Sequence, residues 1–278
     1  MAVGEAATTR KKARKSAGIP EIQDRARPDQ EDIVVLAARS RICKGCWQQL
    51  HLPVPLRGIA ALPFRVFGIR PSRMNPNTCT VCEMMFTKVM RATKVSVDVS
   101  VLFADLRGYT ALSQSLPEAQ IAALLDVFYD ECAGAIWEYD GLLNKTIGDA
   151  IMAIFNFPIR QPDHAARAVE AAREIHRRCR DQHRQLAGSL DCDVEALGIG
   201  IGIDSGIVSF GEFGRSHRDL TAIGTIVNTA ARAQSAAQAG QILVTRAVRD
   251  RSGPALAAST GLLYPLKGLI GPVELYAA

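Results

Sequence analysis

Large apolar side chains are scarce at the start of this 278-residue sequence. Residues 1–30 are polar and basic, so this stretch is expected to stay disordered. It also lacks an apolar signal core, which argues against secretion. Nowhere does an apolar run reach the roughly 18 residues that a membrane-spanning helix needs, so no membrane segment is expected. A cytoplasmic location follows from these two absences. A strong excess of one charge is missing too: the net charge is +5, and Arg10, Lys11, Lys12, Arg14 and Lys15 crowd part of it into one short stretch. Such a cluster suits nucleic acid or an anionic surface. A solvated tail explains it more simply, and nucleic acid is not taken as a partner. What is present is a globular composition. The hydrophobic fraction of 48% supports a real core, and 22% charged residues is ordinary. The length admits one large domain or two smaller ones.

Seven cysteines in a cytosolic chain point to thiols or metal ligands rather than disulfides. Four form two knuckles, Cys43-Lys44-Gly45-Cys46 and Cys79-Thr80-Val81-Cys82. Paired C-x-x-C spacing reads as a tetrathiolate metal site with zinc as the default. The spacer between the knuckles is longer than in a usual zinc ribbon. Iron in a four-thiolate site, a redox dithiol pair, or four small buried residues therefore stay open. The spacer is rich in Pro and Arg, has weak regular structure on its face, and would gain from a metal staple. Residues 31–92 are taken as this Cys-rich module. The chain's other thiols, Cys132, Cys179 and Cys192, read as buried bystanders.

The stretch that organises the rest is Val95 to Phe155. Val95, Val97, Val99, Val101 and Phe103 alternate at period two, a strand signature. The strand runs into Ala104-Asp105-Leu106-Arg107-Gly108-Tyr109-Thr110. Ser115-x-x-Glu118 reads as a capping box. Ile121, Leu125, Phe128, Cys132 and Ile136 then recur at helical spacing, and Gly141 ends that helix. Leu142 to Phe155 reads as a hairpin around Ile147-Gly148-Asp149. Asp105 and Asp149 thus fall at turns beside strand ends. Taken singly, each is an ordinary turn former. Paired, they are the hard oxygen ligands that a divalent ion on a nucleoside triphosphate needs.

A second helix is expected from Asp163 to Leu186, with Arg173, Arg177, Arg178, Arg180 and Arg184 as a solvated face and His164, His176 and His183 at the surface. Ile199, Ile201 and Ile203 predict a strand that stops at Asp204-Ser205-Gly206, with another beginning at Ile207. Leu220–Ile223 reads as a short strand and Gly224 opens an Ala-rich helix through Ala239. Ile242–Val244 and Val273–Tyr276 close the sheet. Interleaved strands and helices with several hairpins fit an α+β fold.

Phe103-Ala104-Asp105-Leu106-Arg107-Gly108-Tyr109-Thr110, together with Thr146-Ile147-Gly148-Asp149-Ala150, resembles the signature of class III nucleotidyl cyclases, the adenylate and guanylate cyclase catalytic domain. Gly202-Ile203-Asp204-Ser205-Gly206 and Ile223-Gly224-Thr225-Ile226-Val227-Asn228-Thr229-Ala230-Ala231-Arg232 extend the match, which runs from Val95 to the C-terminus. Several ordered motifs are far more specific than one. The resemblance implies a ferredoxin-like core over residues 93–278. It implies that Asp105 and Asp149 hold two Mg²⁺ or Mn²⁺ ions, and that the amides of Leu106, Arg107, Gly108, Tyr109 and Thr110 cradle phosphate. Asn228 and Arg232, one helical turn apart, match the ribose and transition-state positions. Lys145 matches the base-reading position and Thr221 its partner. An ammonium suits the adenine N1 acceptor and a hydroxyl accepts from the adenine amino group.

The resemblance thus implies an adenylate cyclase acting on ATP as a homodimer with two shared sites. One position departs from the family: Lys267-Gly268-Leu269 has Leu where a triphosphate-binding lysine is usual. Lys267, Arg215 or Arg218 would have to replace it. A regulatory nucleotide-binding domain with weak turnover is one rival reading. A non-enzymatic metal- and nucleic-acid-binding protein is another.

Overall fold

The computed structural model describes residues 40–186, 198–216 and 218–278. The basic N-terminal cluster and Cys192 lie outside the described residues, as does the side chain of His183. The elements in chain order begin with α1 (Lys44–Leu50), α2 (Leu62–Val66) and α3 (Thr80–Ala92). Then come β1 (Val95–Arg107), α4 (Tyr109–Ser115), α5 (Glu118–Glu138), β2 (Leu142–Ile147), β3 (Ala150–Phe155), α6 (His164–Leu186) and β4 (Gly198–Phe213). The chain ends with β5 (Asp219–Ile223), α7 (Thr225–Ala236), β6 (Ile242–Thr245), α8 (Arg246–Arg251), β7 (Gly261–Tyr264) and β8 (Val273–Ala277).

The first four strands lie in the order β2-β3-β1-β4 with helices α5 and α6 between them in sequence. That is the β-α-β-β-α-β arrangement of a ferredoxin-like core. The sheet continues through β6, β8 and β7, and β5 folds back on the end of β4. All pairs are antiparallel except β4 with β6.

Alternation along β1 builds two layers. Leu102, Ala104 and Leu106 face one side, packed with Phe128, Cys132 and Ile136 of α5 and Ala168, Val169 and Ile175 of α6. Val99, Val101 and Phe103 face the other side, with Ala230 of α7 and Met90 of α3. β1 is buried on both faces over this stretch, as the central strand of a covered sheet must be. Full burial of a side chain such as Leu102 or Phe155 contributes about 1.5–3 kcal/mol. Helix α7 crosses β4 in direct backbone contact. A Cβ at Gly202 would come within 2.1 Å of the Gln234 amide nitrogen and 2.3 Å of the Ala230 carbonyl oxygen, so only glycine fits there.

Several expectations are corrected. The capping box does not form: α5 is capped by Pro117, whose carbonyl accepts from Gln120 and Ile121, while the Ser115 hydroxyl donates back to Leu112. The strand does not stop at Asp204-Ser205-Gly206. β4 runs straight through, because β1 pairs with it along its whole length from Val95 to Arg107. The helix after Gly224 ends at Ala236, and β7, unseen in the sequence pattern, forms the far edge. His164 and His176 are buried rather than superficial. His164 Nδ1 meets the Ser100 hydroxyl at 2.8 Å and His176 Nε2 the Ile199 carbonyl at 2.9 Å. Burial pushes both imidazoles down from their ordinary pKa. Arg178 leaves the solvated face to bind Glu138 of α5 at 2.6 Å.

The stretch before β1 is better ordered than its composition suggests. Asn77 Nδ2 donates to Asp140 Oδ1 at 2.7 Å and to the Trp137 carbonyl at 3.1 Å. Trp137 Nε1 donates to the Met74 carbonyl at 2.9 Å, and Asn75 Nδ2 to that of Gly141 at 2.9 Å. These bonds fasten residues 74–77 to the C-terminal end of α5 and the start of β2.

Candidate active site

Register brings the two aspartates together. Asp105 lies opposite Ala150 in the β1–β3 ladder, and the Leu106 amide donates to the Asp149 carbonyl at 3.1 Å. Gly148, with φ +59°, makes the β2–β3 turn, and the Tyr129 hydroxyl donates to its carbonyl. Arg107 Nη1 and Gln234 Nε2 both donate to Asp105 Oδ2, at 3.0 and 2.9 Å. Arg107 also donates to the Gln234 carbonyl. Gly200, across the ladder from Asp105, makes room for that guanidinium. A Cβ there would stand 2.5 Å from Arg107 Nε.

Burial pushes the Asp105 carboxyl above its ordinary pKa, and the charge of Asp149 adds to the rise. Arg107 and the Gln234 amide pull it down without cancelling the effect. A half-buried carboxyl raised by burial and by a neighbouring carboxylate is part of a donor set suited to a hard divalent ion, which needs oxygen ligands and relieves that repulsion. The residues present therefore fit Mg²⁺ or Mn²⁺.

Of the Leu106–Thr110 amides, that of Leu106 is committed to Asp149 and so does not join a phosphate cradle. Gly108, with φ +81°, caps the start of α4, where the first-turn amides of Tyr109 and Thr110 have no partner within the helix.

A second cluster gathers at β2 and β5. Lys145 Nζ pairs with the Asp219 carboxylate. Thr221 Oγ1 donates to Asn144 Oδ1 at 3.2 Å, and Asn144 Nδ2 donates to the Leu220 carbonyl at 3.0 Å. Lys145 and Thr221 thus lie in one corner. Asn228 and Arg232 are exposed on α7. Among the described residues no hydrogen bond joins either to Asp105 or Asp149. Leu269 packs against Leu266, Leu275, Ala233 and Ala237, while Lys267 is exposed. Arg218 meets Glu212 at 3.5 Å and Arg215 is exposed.

Three polar partners escaped the sequence reading: Gln234, Asn144 and Asp219. Asp219 was findable, since it precedes Thr221 by two residues and so shares its face of β5. Gln234 was not, because only the crossing of α7 over β4 sets it against Asp105.

The four knuckle cysteines also converge. Cys43, Cys46, Cys79 and Cys82 have sulfurs all within 4.8 Å of one another. Among the described residues the other thiols, Cys132 and Cys179, are buried between α5 and α6.

The fold agrees with what known proteins show. The family described as the adenylate and guanylate cyclase catalytic domain matches residues 91–258, more than half of the chain. The chain belongs to this class III nucleotidyl cyclase family. An adenylate cyclase of Anabaena cylindrica is 34% identical over 160 residues, which cover 56% of this chain and 31% of that protein. An uncharacterised protein of Mycobacterium tuberculosis is 33% identical over 182 residues, covering 64% of this chain and 32% of its own. The chain thus spans about a third of the length of these relatives. Among solved structures, the guanylyl cyclase Cya2 superposes with a TM-score of 0.61 at 27% identity, over 66% of this chain and 92% of its own. The adenylyl cyclase CyaB from P. aeruginosa does so with 0.59 at 28%, over 66% and 95%. Among the described residues no helix is long and apolar enough to cross a membrane.

Proposed function

We propose that the chain is an adenylate cyclase that converts ATP to 3′,5′-cyclic AMP and pyrophosphate as a homodimer with two shared sites. The observation that carries this is the Asp105–Asp149 carboxylate pair at the ends of β1 and β3. In the reaction the ribose 3′-oxygen bonds to the α-phosphorus while the bond to the bridging oxygen breaks and pyrophosphate leaves. Asp105 and Asp149 would hold two Mg²⁺ or Mn²⁺ ions, which when bound lower the pKa of the 3′-hydroxyl and neutralise triphosphate charge. Arg107 and Gln234 fix the Asp105 carboxylate in place. The amides of Gly108, Tyr109 and Thr110 face phosphate oxygens at the start of α4. Arg232 presents a planar, permanently charged fork to the α-phosphoryl group, and Asn228 orients the ribose. Lys145 donates to adenine N1, and Thr221 accepts from the adenine amino group.

Two features support the shared site. Asn228 and Arg232 project from an exposed face, and the carboxylates stand elsewhere on the same chain. A twofold pairing would let each chain supply what the other's half lacks. ATP over GTP rests on Lys145, a donor where a guanine reader would need an acceptor. Leu269 supports a second reading, a cyclase-like domain that binds nucleotide and turns it over poorly, since that side chain belongs to an apolar cluster. Incubating the purified chain with ATP or GTP and Mn²⁺, with chromatographic identification of product, separates the readings. Cyclic AMP formation is expected. Nucleotide binding without product would favour the second reading, and cyclic GMP alone would overturn the substrate.

A further inference from the structure

The cysteine cluster has the dimensions of a single-ion site. Cys43 Sγ lies 3.6 Å from Cys82 Sγ, and Cys46 Sγ lies 3.6 Å from Cys79 Sγ and 3.4 Å from Cys82 Sγ. A tetrahedral ion with sulfurs at about 2.3 Å spaces them about 3.8 Å apart. A multi-iron cluster holds its cysteines further apart, since several irons and sulfides stand between them. The backbone is arranged for thiolates. Cys43 and Cys79 cap α1 and α3, and the amides of Cys46 and Cys82 donate to their sulfurs at 3.3 and 3.4 Å. The Cys79 amide donates to Cys43 Sγ as well, at 3.2 Å. Such N–H···S contacts orient ligands and stabilise their charge. Three of the four cysteines are buried, which closes the site.

The cluster is also wired to the catalytic strands. α3 begins beside Cys79 and ends at Ala92, two residues before β1, the strand that carries Asp105. On the other side, Lys44, within the first knuckle, and Asn77, just before the second, both hold Asp140, at 2.5 and 2.7 Å. Asp140 is only 4% exposed and has φ +61°, a left-handed turn for a residue other than glycine. It leads directly into β2, which carries Lys145. The apolar support around the cluster is small: Leu56, with Val54 and Ile69 partly buried. Ile59, Val66 and Phe67 are exposed. A segment with so little core depends on whatever crosslinks it.

We propose that Cys43, Cys46, Cys79 and Cys82 bind one thiophilic cation, zinc or iron, in a closed tetrathiolate site, and that this ion clamps the Asp140 turn and the base of β1, so that its loss loosens the catalytic strands. The clamp deepens the cyclase reading, yet its test needs no catalysis. Elemental analysis of the full-length chain should give about one zinc or iron per chain, and it distinguishes the two. Cobalt substitution should give sulfur-to-metal charge-transfer bands, and Cys43→Ser with Cys46→Ser should abolish both signals. A chain that binds neither Zn²⁺ nor Fe²⁺, or whose four cysteines form two disulfides, overturns the site. Hydrogen exchange then reads the clamp. Removing the ion with a chelator should speed exchange across residues 141–149 by about tenfold or more. Equal exchange with and without the ion overturns the clamp, whether or not the chain makes cyclic AMP. Should the double serine variant fail to fold, Asn77→Ala leaves all four sulfurs in place. It should keep the ion and still speed exchange at 141–149, and unchanged exchange there counts against the clamp.

Discussion

Lys145 and Asp219 form an ion pair between two strands that share no ladder: β2 pairs with β3, and β5 with β4. The pair holds the ammonium beside Thr221, and it adds an acidic group to the corner that the proposed adenine reader occupies. Lys145→Glu combined with Thr221→Cys should lower ATP use and raise relative GTP use. Mismatched buried polar groups cost about 1–3 kcal/mol, a selectivity change of roughly 10–100-fold. Two carboxylates would then face one another, so adding Asp219→Asn should strengthen the switch. The check is the ATP-to-GTP ratio of kcat/KM, and an unchanged ratio removes Lys145 from base reading.

Asp105→Ala or Asp149→Ala should lower cyclic AMP formation by about two orders of magnitude or more with the fold intact. Wild-type rates at saturating Mn²⁺ in either variant would refute the ion-binding assignment.

Asp105 also predicts a pH-dependent gain. Its folded pKa is raised, mainly by burial and then by Asp149. The folded state therefore favours the neutral acid, and ionisation opposes folding. That cost is absent below the ordinary pKa of 3.8 and grows as pH rises through the folded value. Asp105→Asn should raise Tm of the metal-free protein near neutral pH and do little at the acid end. Equal shifts at both ends would show that the carboxylate is not held against its charge.

The shared site predicts rescue between dead variants. Asp105→Ala and Arg232→Ala homodimers should each be inactive. After subunit exchange about half the dimers are mixed, each with one intact site, so about a quarter of wild-type activity should return. A mixed dimer isolated with two tags and confirmed by mass should show about half. If it stays as inactive as its parents, the carboxylates and Arg232 do not meet across subunits.

Gly202→Val should destabilise the domain by about 1–3 kcal/mol or more, because its side chain would strike the backbone of α7. Urea unfolding measures this. A neutral result would mean that α7 slides away from β4 freely.

β1 was legible from its period of two, α5 from its period of 3.6, and the β2–β3 hairpin from two apolar arms around Ile147-Gly148-Asp149, while the ferredoxin-like order came with the resemblance. Asp105 and Asp149 stood out through the motifs that carry the resemblance, since each taken singly reads as an ordinary turn former. The burial of His164 was not legible, since its partner Ser100, itself bonded to Ser205 of β4, comes from β1, far away in sequence. Asp204 looked like a strand end and is a buried anchor instead, accepting from Thr245 Oγ1 at 2.6 Å. Helix α3 was hidden by the Pro- and Arg-rich spacer before it. Gln234 depended on the crossing of α7 over β4, which no local pattern encodes.

The sheet order has a further consequence. Asp105 sits on β1, paired on both sides, whereas Lys145 sits on the edge strand β2 and Thr221 on β5, which β4 alone supports. Edges open first when a domain fluctuates short of unfolding. Warming or mild denaturant should therefore blur the choice of nucleotide while Asp105, and Asp149 through its carbonyl's bond to the Leu106 amide, still stand. On the proposed reading, fidelity is less durable than chemistry, and a chain near its thermal limit should make the wrong cyclic nucleotide before it stops making any.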